Sequence, residues 1–271
     1  MNLPMQLRLY SDYIAHAGMA RFERPNSTVY AASERCLLYR QQKAMKLLRH
    51  LDVAPQPAFI RPLRRLWVME VNHPTLTDFL TALAGSRRRG KIELIRRLGA
   101  TVGMVHSLRH TGTGDIVEPD SVSVLRKLKV LVRKNQVLLS VQGIPSGPFA
   151  GLLGEVKYLW GSFGGTLVGN WPDFPPVRIW NSGLMIMDLS RANYSEPLLD
   201  LVNLHPRDIG LETMFFWEYF LQGYGATCEL PAQGKAKIEV LYKIKLLQAL
   251  AEGKGVQRAQ EDCRSQWWDK V

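Results

Sequence analysis

Apolar positions along the chain fall into two periodicities. Helical spacing governs four long stretches. From Cys36 to Leu51, the residues Leu37, Leu38, Ala44, Met45, Leu47, Leu48 and Leu51 fall largely on one face. From Ile92 to Leu108, a stripe runs through Ile92, Ile95, Leu98, Gly99, Val102, Val105 and His106. Val122 to Leu139 and Ile238 to Ala251 read as further amphipathic helices. Thr213 to Gln222 is denser in aromatic residues, with Phe215, Phe216, Trp217, Tyr219 and Phe220, and predicts a core helix. Shorter helices are expected over Leu76–Leu83 and Glu155–Gly161.

Strand-like runs are short. Ser27 to Tyr30 is β-branched and aromatic. Phe59-Ile60 and Leu66 to Glu70 read as a strand pair across a basic link. Val177 to Trp180 and Leu184 to Met187 flank Asn181-Ser182-Gly183, a tight-turn signal, and predict a hairpin. Residues 1–24 read as a helical or irregular N-terminal piece, and 110–120 and 143–154 as Gly-rich loops.

The 271 residues suffice for one large domain or two closely joined lobes. An apolar content of 46% and a charged content of 22% are those of an ordinary folded protein. No apolar run reaches the roughly 18 residues of a membrane span, and the N-terminus lacks a signal peptide's apolar core. A cytoplasmic location is therefore the expectation. Cys36, Cys228 and Cys263 are far apart and form neither a disulfide framework nor a metal-spaced pair. The net charge of +11 favours polyanions, meaning nucleotide phosphates or an anionic membrane surface. Nucleic acid fits less well, because no helix-turn-helix or aromatic-interleaved basic motif is present.

Candidate chemistry concentrates in residues 165–205. Asp173 lies in a turn just before the predicted hairpin, and Asp188 follows directly on its second strand. Phosphoryl transfer uses such a pair. One carboxylate orients a hydroxyl nucleophile and the other holds magnesium on the nucleotide phosphates. Asp115, in Gly114-Asp115-Ile116, mimics part of this arrangement but has no second aspartate at strand spacing.

The order of these motifs resembles the aminoglycoside phosphotransferase and choline kinase-like family. Asp188 and Asp200 are twelve residues apart, as in its paired aspartate motifs, and Ser195-Glu196-Pro197-Leu198-Leu199-Asp200-Leu201-Val202 fits its second phrase. Val53-Ala54-Pro55-Gln56-Pro57, Trp67-Val68-Met69-Glu70, Leu98 to His106 and Phe220-Leu221-Gln222-Gly223-Tyr224 match further phrases. The resemblance covers about residues 26 to 250. It implies an α+β, two-lobed protein kinase-like fold with a small β-rich N-lobe, 1–72, and a larger, mostly helical C-lobe, 73–271. Asp173 then takes the catalytic position, Asp188 binds Mg2+, and Asp200 braces the catalytic loop. Glu70, Val71 and Asn72 form the hinge that receives adenine. Arg40 is the candidate phosphate contact in the N-lobe. ATP is the implied nucleotide, and a small-molecule or sugar hydroxyl the implied acceptor.

Several family positions hold other residues. Trp171 stands for the histidine, Pro172 for the glycine and Arg178 for the metal-binding asparagine. An arginine cannot ligate magnesium, but it can contact phosphate. Gln41 stands for the helix glutamate, and no lysine occupies the preceding strand. These substitutions keep two alternatives open. One is a catalytically inactive kinase-fold binding or regulatory protein. The other is a lipopolysaccharide-type sugar kinase at the membrane face. The basic helix 122–139 and the Trp267-Trp268 tail are candidate contacts for a membrane surface or a partner.

Overall fold

A computed structural model describes residues 19–24, 27–32, 35–54, 59–61, 66–69, 88–120, 122–161, 165–169, 171, 177–180, 183–186, 189–204 and 211–253. The chain forms two compact units, one of residues 1–86 with 175–192, the other of 87–174 with 193–271. Among the described residues no helix is long and apolar enough to cross a membrane.

The first unit is built on a four-stranded antiparallel sheet. Strands β1 (Met19–Arg24), β2 (Ser27–Ala32), β3 (Phe59–Arg61) and β4 (Leu66–Met69) lie in the order β1-β2-β4-β3. Of the piece expected to be helical or irregular over 1–24, residues 1–18 lie outside the described residues, and strand β1 occupies the described part, 19–24. A hairpin register with β2, from Met19 opposite Ala32 to Arg24 opposite Ser27, decides its structure. The pairing is local in sequence, but it is the partner strand that sets the conformation, which leaves little trace in β1's own composition.

Helix α1 (Arg35–Leu48) follows β2 and ends in a 3-10 turn, Arg49–Leu51. Its inner stripe is Gln41, Ala44, Met45 and Leu48, all buried at i, i+3, i+4 and i+7. The predicted hairpin is present as β7 (Val177–Trp180) and β8 (Gly183–Ile186), with Val177 opposite Ile186. It is tied to the segment after α1 by the Ile186 N–H, which donates to the Val53 carbonyl at 2.9 Å. Buried Val177, Leu184, Met185 and Ile186 supply the hairpin's part of the apolar core.

The second unit opens with helix α2 (Arg88–His106), which begins a turn earlier than its apolar stripe suggests. Arg88 and Arg89 form its first turn, since arginine is a good helix former. A two-residue strand β5 (Gly114–Asp115) follows, then α3 (Val124–Val141), α4 (Leu152–Leu159) and β6 (Thr166–Val168). Ser123 caps α3, its hydroxyl accepting from the Arg126 N–H at 3.3 Å. After the hairpin come β9 (Asn193–Ser195), a single turn α5 (Leu198–Leu201), α6 (Thr213–Gly225) and α7 (Gly234–Ala251). Strands β5, β9 and β6 form a three-stranded antiparallel sheet in that order. The sequence gives no warning of β5 or β9, because each is too short to show alternation.

Helices α2 and α6 form the core of this unit. Arg88 lies over Phe215, Arg96 meets Tyr219 and Gln222, and Gly99 meets Phe220 and Tyr224, so contacts advance together and the helices run parallel. Phe216, Trp217, Phe220 and Tyr224 are fully buried on α6, as the aromatic run predicted. Gly99 makes the approach possible: a Cβ there would sit 2.0 Å from the Phe220 carbonyl oxygen. Gly99→Ala forces the two backbones apart. The expected loss is about 1–3 kcal/mol, as for overpacking elsewhere, read as a lowered midpoint in urea denaturation at unchanged slope.

Candidate active site

The best-defined polar cluster surrounds Asp200 in the second unit. Helix α2 ends in His106, β6 ends one residue before Gly169, and Asp200 sits in the single turn α5. His106 is 0% and Asp200 1% exposed. Asp200 Oδ2 accepts from the Gly169 N–H at 2.6 Å and lies 3.2 Å from His106 Nε2. His106 Nδ1 is 3.0 Å from the Tyr224 hydroxyl.

Proton placement follows from the partners. Burial, reinforced by the Cys228 thiol and by Glu196 and Asp200, pushes the Tyr224 phenol far above its ordinary value. Tyr224 therefore stays protonated. A carboxylate can only accept, so His106 Nε2 is the donor to Asp200. The carboxylate thus receives one backbone and one imidazole hydrogen bond, the compensation a buried charge requires. His106 acts here as a link between the helix end and Asp200.

The loop after β6 is fixed a second time by Trp171, at the position where the resemblance expects histidine. Its side chain is 3% exposed and covers Gly169, where an added Cβ would lie 1.9 Å from the indole. Its carbonyl accepts from Asn203 Nδ2 at 2.7 Å. Only glycine lets the indole close over the chain at 169.

Beside this cluster, Trp160 Nε1 donates to Glu196 Oε2 at 2.5 Å, and Lys237 Nζ lies 3.8 Å from the same oxygen. The Lys237 ammonium also sits 5.6 Å from the Trp160 ring centroid. Sequence reading did not single out Trp160 or Lys237. Their pairing with Glu196 joins α7 and the end of α4 to a residue two positions before α5, with no local spacing to announce it.

In the first unit the polar anchor is Gln41. It is 0% exposed, and its Oε1 accepts from the Leu189 N–H at 2.6 Å. The backbone immediately after Asp188 is thereby attached to α1. A position read as a lost glutamate carries a neutral amide that satisfies a main-chain donor.

The remaining candidate residues divide plainly. Arg178 is on β7 and 6% exposed, and Arg40 is half-buried on α1. Asp173, Asp188, Glu70, Val71 and Asn72 lie outside the described residues, as do 76–83 and the Trp267-Trp268 tail. Asp115 is paired in β5 opposite Asn193, and its Oδ1 accepts from the Val117 N–H at 2.9 Å as a turn residue. Among the described residues, no group of three or more His, Cys, Asp or Glu side chains is arranged to hold a metal ion.

No family model matches the sequence, and no curated protein sequence matches it significantly. Solved structures do match in fold. A choline/ethanolamine kinase family protein from Mesorhizobium loti aligns with TM-score 0.56 at 15% identity, covering 94% of this chain and 86% of that one. The choline kinase LicA from Streptococcus pneumoniae aligns with TM-score 0.53 at 12% identity, covering 99% and 100%. The streptomycin–ATP ternary complex of APH(2")-IIa aligns with TM-score 0.52 at 12% identity, covering 99% of both chains. The chain therefore has the kinase-like α+β fold shared by aminoglycoside phosphotransferases and choline kinases, the resemblance its motifs suggested. At these identities the likeness fixes the fold alone.

Two outcomes test the Asp200 cluster. Asp200→Ala strands the Gly169 N–H and the His106 imidazole, at a cost of about 3 kcal/mol for a charged buried partner, measured by urea denaturation. Tyr224 sets an alkaline limit. The folded chain holds its proton more tightly than the unfolded chain, so its contribution is complete below the ordinary value of 10.0 and is lost as pH rises beyond it. Tyr224→Phe lowers stability at pH 8 by about 1 kcal/mol but reduces the fall in stability above pH 10. An equally steep fall in both proteins contradicts the assignment.

Proposed function

We propose that the chain is a phosphotransferase that uses ATP and Mg2+ to phosphorylate a hydroxyl of a small-molecule or sugar-containing acceptor. The observation that carries this reading is the buried Asp200 carboxylate gripping the Gly169 N–H, four residues before Asp173. A charge buried to fix a loop backbone is the support a positioned catalytic group requires. Neighbours of the same fold include choline kinases and an enzyme solved with streptomycin and ATP, which supports a nucleotide donor and a small hydroxyl acceptor.

In this reading residues 1–72 form the nucleotide-binding lobe, with the backbone at Glu70, Val71 and Asn72 receiving adenine. Residues 73–271 form the helical lobe, with the catalytic hairpin within about 165–205. Asp173 orients the acceptor hydroxyl and takes its proton late in transfer. Arg178 stabilises charge on the phosphoryl group. Asp188 holds Mg2+. The fit rests on donor chemistry: a carboxylate oxygen suits this hard ion, which commonly binds through one or two carboxylates plus phosphates. Its following residue is anchored by Gln41. When bound, the ion neutralises phosphate charge.

A second reading, a nucleotide-independent binding or regulatory protein, is favoured by Gln41 itself. Its amide is committed to a backbone N–H, so it offers no carboxylate to position a phosphate-binding lysine.

Thermal-shift titration with ATP and Mg2+, followed by ADP release across hydroxyl acceptors, separates the two. The phosphotransferase reading expects a shift at millimolar nucleotide that Asp188→Asn abolishes. It also expects Asp173→Ala to lower kcat about 10²–10³-fold, as for other groups stabilising a transition state. Full turnover in either variant removes that residue's role. No shift and no turnover favours the regulatory reading.

A further inference from the structure

Helix α3 presents a second apolar line, pointing away from the core. Its inner face is Val124, Leu128, Val132, Asn135 and Leu139, all buried. Around the helix from these lie Val130, Val137 and Val141, which are 59%, 61% and 80% exposed. Leu138 is 37% exposed, and so is Ile144 just past the helix end. Isolated surface apolar residues need no explanation, but a line of them does.

The spacing is that of a coiled-coil seam. Val130, Lys134, Val137 and Val141 step by four, three and four residues, the alternation that keeps one edge of a helix facing a partner helix. The seam spans about 16 Å at 1.5 Å per residue. In heptad terms Val130 and Val137 are d, and Lys134 and Val141 are a. Arg126 and Arg133 then flank the seam at g, where charge selects the partner. Helix α3 contains no acidic residue. Lys127 is paired with Asp120 at 3.2 Å, whereas the side chains of Arg126, Lys129, Arg133 and Lys134 form no ion pair with any described residue.

We propose that the outer face of α3 is a docking surface for an acidic amphipathic helix of another protein. Apolar residues of that helix would cover Val130, Val137 and Val141, and its carboxylates would meet Arg126, Arg133 and Lys134. A second copy of this chain is a poor occupant, because pairing α3 with itself brings uncompensated cations together. A membrane surface is also a poor one. Helices that lie in a lipid interface expose Trp, Phe and Leu, whereas this line is valine interrupted by Lys134.

The test uses the full chain and a fluorescent three-heptad peptide with leucine at a and d and glutamate at e and g. Anisotropy titration is expected to show saturable binding. Val137→Asp with Val141→Asp should weaken it at least about tenfold, roughly 1.4 kcal/mol. Arg126→Glu with Arg133→Glu should weaken it similarly and instead bind a peptide carrying lysine at e and g. All four positions are on the exposed side of the helix, and circular dichroism checks that each variant is folded. Absence of binding overturns the proposal, as does equal binding by wild type and variants. Two other results also overturn it. One is sedimentation of the wild type with vesicles of three parts phosphatidylcholine to one part phosphatidylserine, without peptide binding. The other is dimerisation of the chain alone that Val137→Asp abolishes.

Discussion

Asp200 is buried to 1% exposure, and so it cannot be a passive residue. An isolated carboxylate taken from water would be strongly penalised, and in practice would take up a proton. This one is held by a main-chain N–H from the loop after β6 and by the imidazole at the end of α2, itself oriented by Tyr224 from α6. Three elements distant in sequence meet at one charge. Moving any of them by an ångström leaves the charge under-solvated, so the cluster sets where the loop starts relative to both helices. The close helix contact at Gly99 serves the same end. It brings α6 near enough to α2 for Tyr224 to reach the His106 ring.

The first unit anchors its own loop with different chemistry. Gln41 is as deeply buried as His106, yet it is neutral and accepts one hydrogen bond from Leu189. A neutral bond of this kind contributes about 1 kcal/mol net, and its loss would strand one amide rather than one charge. The choice of side chain is coherent with its surroundings. A carboxylate at position 41 would place a charge at a fully buried site, whereas the amide oxygen accepts from the Leu189 N–H as a neutral group. Glutamine keeps the acceptor oxygen and discards the charge. The same position that departs from a family phrase is thereby a satisfied part of this fold.

How much of this is legible in the sequence depends on the range of the interaction. The stripe of α1, the aromatic face of α6 and the hairpin β7–β8 are written in local periodicity, and each forms where spacing places it. The fold likeness was legible too, because it rests on the order of several phrases rather than on any single one. Strand β1 was not, since its partner decides its conformation. Nor was the role of Gln41, whose bond joins residues 148 positions apart, or the Trp160–Glu196–Lys237 contact. Side-chain identity announces that such residues can hydrogen-bond, and only the fold says to what. Asp173 and Asp188, the two carboxylates of the proposed chemistry, were singled out by sequence alone, and the described backbone grips lie four residues before the one, at Gly169, and one residue after the other, at Leu189.

The loop after β6 shows how a substitution and its support belong together. Trp171 places a large indole where the resemblance expects a histidine able to form polar contacts. A tryptophan cannot reproduce those contacts, but it brings far more apolar area to bury. The fold uses that area by closing the ring over Gly169, a closure that any larger residue at 169 would block. The Trp171 carbonyl takes the Asn203 amide, while the Gly169 N–H takes Asp200. Packing thus positions the backbone here beside the Asp200 carboxylate, which grips it at Gly169. A buried charge and a glycine fitted to its neighbour hold the backbone at 169 and 171 from two sides, the kind of support that the role proposed for the aspartate at 173 requires.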